Sequence, residues 1–416
     1  MDRYEADAQG DKLVRLLHLW LTPLVVSMFF FILTLTIGRL AVKQSYSLDT
    51  NFCQYTQGVL FKRGVLHGGA EHFQSMPVYL SCMVNPLRIG YASKYPPGYS
   101  GLIALGLILG DDSLINPLCG ALTVLLTLML IKEHYRGRAT FFWGALLSCL
   151  STYLLYMSAE FWNHPSALLA CTLLVWVIFK RGGSFWFAVP VIILALTFCS
   201  LTRPLSSLAM TFCLGASLIL ECIRNPDSRK RSQGLIGIVI LGTLMGAVAL
   251  AGYNYLLTGD PLLSGYEALH GPPHNPGFHV DPYGRNFTVW EGLKDLWVRW
   301  RSMNHWLFMW PIPSLSLLVI WLVSFKKWQP FDAVCVLWIL AQSGIYCFMW
   351  SAGQVQVGPR FLYEALPAIL ILSARGMSVV EEAFGSGRRV RIASVVLIAG
   401  LSLYGLYGYL AWADVL

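Results

Sequence analysis

The sequence predicts an all-α fold, a polytopic bundle of transmembrane helices. Two observations carry that reading. Long apolar runs recur along the 416 residues, and only 12% of the chain is charged while 56% is hydrophobic, against roughly 25% charged in a soluble domain. A third observation, the alternation of basic and non-basic loops, orients the bundle.

Eleven runs approach the ~20 residues that a helix needs to cross a ~30 Å hydrocarbon core. They lie at about 16–42, 114–131, 139–157, 165–179, 185–202, 204–223, 234–257, 306–325, 331–350, 361–374 and 392–413. The first is too long for a cleavable signal sequence and lacks a small-residue cleavage site, so it reads as a retained span.

Lys and Arg are retained on the cytoplasmic side of spans joined by short loops. With the N-terminus inside, every second loop falls inside too, and these loops carry Lys132, Lys180/Arg181, Arg224/Arg229/Lys230/Arg231, Lys326/Lys327 and Arg375/Arg388/Arg389/Arg391. Together with Arg3, Lys12, Arg15, Arg136 and Arg138 they hold more than half of the 30 basic residues. The C-terminus is then outside. The net charge of +8 is thus a topology signal, and its spread over separate loops argues against a nucleic-acid partner.

Residues 1–416 read as one membrane domain, with no repeat of 20–50 residues and no soluble domain able to fold alone. The unusual residues collect in outer loops, at about 43–113, 258–305 and 351–360. In the first loop, residues 49–62 alternate polar and apolar at helical spacing, which suits a helix along the membrane surface. "YPPG" forms a turn, and the apolar stretch 101–109 is too short to span. The second loop, dense in Gly, Pro, Asn and His, suits a structured loop or lid as well as a passive connector. Most cysteines lie in or at the ends of spans without CxxC spacing and read as small buried hydrophobes. Cys53 and Cys82 share the first outer loop, where a disulfide forms if geometry permits.

Asp49, just beyond the first span, is either a solvated loop acid or a general base. Its company favours chemistry, since the same loop carries Glu71, Lys94 and the Pro-Pro turn. Expulsion of a phosphate needs fixed positive charge, and Lys94, Arg203 and Arg360 lie at outer span ends, where each also fits a snorkelling interface residue. Arg203, in "SLTRPLSS", sits between two apolar runs and is costly unless it meets an anion or water. His164 and His305, each preceded by Asn, fit structural hydrogen bonding better than catalysis. Among the remaining loop histidines only His270 and His274 stand at HxxxH spacing, with Gly-Pro-Pro between them, and there is no HExxH, so no metal is expected. Asp111 and Asp112 fit a helix-capping pair.

In order and placement these segments resemble the GT-C superfamily of polytopic glycosyltransferases, especially bacterial relatives of the protein O-mannosyltransferases and of the lipid A aminoarabinose transferase. The resemblance rests on "SLDTNFCQYTQGVLFKRG", "KYPPGYSGLIALG", "INPLCGALTVLLTLML", "LTRPLSSLA", "YNYLLTGDPLLSGY" and "VGPRFLYEALP", spanning about 45–370. It implies an outer-loop acid as base, Asp49, and a sugar donor on polyprenyl phosphate held by Lys94 and, less firmly matched, Arg203 and Arg360. Tyr95, Asn254 and Tyr266, within the same motifs, and His164 and Glu71 complete the substrate-binding set. Many relatives carry an acid pair where this chain has Asp49-Thr50, so a second carboxylate comes from Glu71 or is absent. The resemblance also implies inverting transfer to a hydroxyl of a glycan, lipid or protein at the periplasmic or exterior face of a bacterial inner membrane. No cofactor is expected, although some members of the superfamily use a divalent cation. The rival reading is a lipid or glycan transporter or flippase, which predicts charges near the membrane midplane and often an internal repeat.

Overall fold

The computed structural model describes residues 21–41, 49–69, 82–85, 87–324, 327–351, 353, 358–385 and 387–413, with Asp49, Thr50, Arg388, Leu406 and 409–413 described through their backbone alone. Helix dominates, and the regular sheet among these residues is one two-stranded antiparallel hairpin, β1 (Met83–Val84) with β2 (Ala92–Ser93).

Among the described residues five helical stretches are long and apolar enough to cross a membrane. The first is α1 (Leu21–Ala41), ending in a π-helical turn. The second joins a 3-10 turn to α4 (Ile115–His134), and the third is α9 (Pro204–Arg224). The fourth contains α10 (Arg229–Thr258), and the fifth runs from the 3-10 helix Arg360–Ala365 into α15 (Leu366–Ala383). A sixth exists if α5 (Arg138–Leu150) and α6 (Thr152–Ala159), bent by 51°, make one broken span. Shorter apolar helices lie among them: α3 (Gly98–Leu109), α7 (His164–Phe179), α8 (Phe185–Ser200) and α14 (Pro330–Tyr346). The long helix α16 (Arg388–Ala413) is joined to the bundle where Trp310 Nε1 donates to Ser402 Oγ at 2.9 Å.

Two expected spans are not continuous helices. The run 139–157 breaks at Ser151, whose hydroxyl accepts from Leu154 N as the cap of α6 and donates to Leu307 O at 2.9 Å. The run 306–325 yields only α13 (Ser316–Val323), because Pro311 and Pro313 interrupt the backbone ladder and Met309 takes a positive φ of 51°. Asp111 caps a 3-10 turn by accepting from Ser113 N, as its position before α4 suggests.

The expected surface helix is present as α2 (Asp49–Lys62), and the stretch 101–109 belongs to α3, which packs on it. Cys53 in α2 and Cys82 before β1 are joined as a disulfide, with Cα atoms 6.2 Å apart. The second loop is more ordered than its composition suggests: it holds α11 (Gly265–His270) and the 18-residue α12 (Val289–Trp306). Arg285 fastens this loop by pairing with Asp281 at 2.9 Å and donating to Trp350 O at 2.6 Å.

Helix α15, which follows Arg360 and Glu364, is buried along most of its length. It approaches α13 closely because Gly376 has no side chain, and a Cβ there would overlap Leu317 O. Gly376→Ala should therefore cost about 1–3 kcal/mol by overpacking. Thermal unfolding in detergent should show a lower Tm than wild type, while Gly400→Ala, in open surroundings, should not. An unchanged Tm for Gly376→Ala would mean that α13 yields without penalty.

Candidate functional site

Candidate side chains gather where α7 and α9 begin and α8 and α14 end. The connection between α8 and α9 is three residues long, so Arg203 is fixed at that joint. His164 is the first residue of α7, and Glu364 belongs to the 3-10 helix leading into α15.

These three residues form a closed, buried set. His164 Nδ1 lies 3.0 Å and Arg203 Nε 2.8 Å from Glu364 Oε1, while Gln342 Nε2 donates to Oε2 at 3.0 Å. The Arg203 Nε contact is one of ion-pair distance without good hydrogen-bond alignment. His164 Nε2 lies 3.1 Å from Arg203 Nη1, and Arg203 Nη2 donates to the Tyr346 hydroxyl at 2.8 Å. A neutral imidazole protonated on Nδ1 serves both neighbours, donating to Glu364 and accepting from Arg203. Ser206 Oγ, 2.9 Å from the Tyr346 hydroxyl, continues the network. Glu364 and Gln342 are fully buried, and a carboxylate there is tolerable because both its oxygens have partners.

Glycines bring the first outer loop to this place. Gly98 N donates to Leu201 O at 2.6 Å, and a Cβ on Gly98 would come within 2.8 Å of that oxygen. A Cβ on Gly265, at the start of α11, would lie 2.7 Å from Lys94 O. Lys94 is thus set against α11 and, four residues before Gly98, beside the α8–α9 joint. Its ammonium lies 2.8 Å from His270 Nε2, 4.8 Å from the Tyr266 ring centre and 5.4 Å from that of Tyr95. Burial first, then Lys94 and His274, holds His270 below the ordinary imidazole range. A neutral His270 solvates the ammonium without cancelling its charge. The Tyr266 hydroxyl donates to that of Tyr95 at 3.3 Å.

Arg360 connects the two groups, since its electrostatic neighbours are Tyr266, Tyr95, Arg203 and Tyr346. Its guanidinium stands 5.1 Å from the Phe361 ring centre, a ring also approached by Arg203 at 5.8 Å and Arg299 at 5.3 Å. Arg203 is balanced by Glu364. Fully buried Arg299 is bound by the carbonyls of Tyr346, Met349 and Ser351, which cap the end of α14. Arg360 has a buried Nε without a hydrogen bond and no ion pair among the described residues. The arrangement can receive an anion at Arg360 and hold it against tyrosines.

The expected residues therefore divide. Lys94, Tyr95, Tyr266 and Arg360 are brought together, and His164 with Arg203 forms the buried set beside them. Asn254, near the end of α10, has contacts that secure the following turn: its Nδ2 donates to Pro261 O and its carbonyl accepts from Thr258. Asp49 opens α2, where Cys53, one turn on, packs in a cluster with Tyr95 and Tyr266. Glu71 lies outside the described residues. Sequence reasoning passed over Glu364, Gln342, Tyr346 and Arg299, and weighed His270 only as a metal ligand. Glu364 was recoverable as the acid inside "VGPRFLYEALP", the counter-charge that Arg203 requires.

Removing one partner of a buried pair strands the other charge, at about 3–5 kcal/mol. Glu364→Gln should accordingly destabilise the protein strongly. The double variant Arg203→Gln/Glu364→Gln should cost clearly less than the two single changes added, as read by thermal unfolding in a double-mutant cycle. Additive losses would contradict the pairing. No protein-family model matches this chain, and no curated protein matches it.

Proposed function

We propose that this chain is an inverting membrane glycosyltransferase that moves a sugar from a polyprenyl-phosphate donor to an acceptor hydroxyl. In this reading the eleven apolar runs, broken ones included, are membrane crossings with the N-terminus inside. The site then faces the exterior side of a bacterial inner membrane. The observation that carries the reading is Arg360: a guanidinium without a counter-ion among the described residues, beside Arg203 and near the tyrosines that flank Lys94. Such an arginine carries its charge before any ligand arrives, and a departing lipid phosphate supplies the negative charge that no described residue gives it.

Asp49 takes the proton of the acceptor hydroxyl. The acceptor oxygen then forms a bond to the anomeric carbon as the bond from that carbon to the phosphate oxygen breaks, with inversion. The electron pair leaves on the polyprenyl phosphate, which Arg360 and Lys94 stabilise. Arg203, His164 and Glu364 act one step back, holding the helix ends that position Arg360. A location at helix ends also supports transfer over the transporter reading, since His164, Arg203 and Arg360 all stand at the starts of helical segments and none lies mid-span.

The test is incubation of purified protein with a panel of polyprenyl-phosphate sugars, measuring released polyprenyl phosphate. Asp49→Asn should lower turnover by about 10²–10⁴-fold and Arg360→Gln by about 10²–10³-fold, each with an unchanged Tm. Near-normal turnover in either folded variant would remove that residue from the mechanism.

A further inference from the structure

A second polar region lies at the other end of the bundle. Helix α7 runs from His164 to Phe179, about 22 Å at 1.5 Å per residue. At its far end a cavity of about 650 Å³ opens between the ends of α7 and α9 and the beginnings of α10 and α14. Its lining combines the basic residues Lys180, Arg181, Arg224 and Arg231 with apolar ones that include Leu218 and Val334.

Two acids accompany the four basic residues, and one of them, Glu133, next to the lining residue His134, accepts from Arg181 N at 3.2 Å. Glu221 is the acid on the cavity wall, and its carboxylate accepts from Asn225 Nδ2 at 3.3 Å and Ser228 Oγ at 3.1 Å. Arg231 donates to Gly183 O at 3.2 Å, and Lys180 lies 4.6 Å from the Trp176 ring centre. Arg181 and Arg224 are exposed. Ser217 Oγ, buried on the wall, has no hydrogen bond of good geometry, although it interacts with the Cys213 thiol one turn earlier.

Basic residues at inner helix ends are expected from topology alone. A cavity that joins four of them to an apolar wall between helices is not, because retention of a loop inside the cell needs charge but no enclosed volume. The combination matches an anion attached to hydrocarbon, and basic pockets between helices on the cytoplasmic side take acidic lipid headgroups. We infer that this cavity binds an anionic phospholipid, its phosphate between Arg224 and Arg231 and an acyl chain against Leu218 and Val334. The inference uses the proposed orientation only to assign the inner leaflet, and it stands apart from glycosyl transfer.

The test is lipid titration of the purified protein in neutral detergent, read by Tm and by lipid retention in native mass spectrometry. Phosphatidylglycerol should raise Tm and remain bound, whereas phosphatidylcholine and free glycerol 3-phosphate at equal concentration should not. Arg224→Gln/Arg231→Gln should keep the lipid-free Tm and bind phosphatidylglycerol about thirtyfold more weakly, and Arg224→Lys/Arg231→Lys should restore most of that binding. Equal shifts with phosphatidylcholine, an equal response to free glycerol 3-phosphate, or undiminished binding by the Gln double variant would each overturn the inference. Both readouts are independent of turnover, so failure of the transfer assay leaves them intact.

Discussion

The ion pair between Glu364 and Arg203 is the contact on which this end of the molecule depends. It joins the α8–α9 joint to the 3-10 helix before α15, and His164 and Gln342 add α7 and α14 to the same carboxylate. A buried pair of this kind gives little net stability compared with an apolar replacement. Its value lies in specification, because the charges are satisfied only when four segments meet in one arrangement. The alternative packings leave Glu364 buried without a partner.

From that arrangement the charge pattern of the site follows. Three arginines surround Phe361, itself stacked on Tyr346 with ring centres 4.7 Å apart. Two have protein acceptors, Glu364 for Arg203 and helix-end carbonyls for Arg299, while Arg360 has none among the described residues. Cation–π contact offsets only part of the cost of holding a guanidinium there. The remainder is a standing preference for an anion, and close backbone approaches at Gly98 and Gly265 deliver Lys94 and its tyrosines to the same place.

The features legible in the sequence were those with a local cause. Apolar runs gave the helices, and the alternation over 49–62 gave α2 with its observed bounds. The isolated charge of Arg203 called for an anion or water nearby, but nothing local could say that Glu364, far along the chain, would meet it. Arg299 was hidden for a related reason: its partners are backbone carbonyls, which leave no mark in side-chain pattern. Helix α12 was obscured by the Gly- and Pro-rich segment preceding it, although Thr288 accepts from Glu291 N as an ordinary helix cap. The break within 306–325 follows from Pro311 and Pro313, which apolar length alone does not register.

In the proposed function Arg360 is held unpaired to receive the phosphate of a lipid donor. An experimental structure of the purified protein with bound polyprenyl phosphate tests it most directly. Phosphate density is expected against the Arg360 guanidinium, on the side of Lys94 and Tyr266, with the Glu364–Arg203 pair intact. Phosphate bound elsewhere, with Arg360 engaged by a carboxylate of the protein itself, would contradict it.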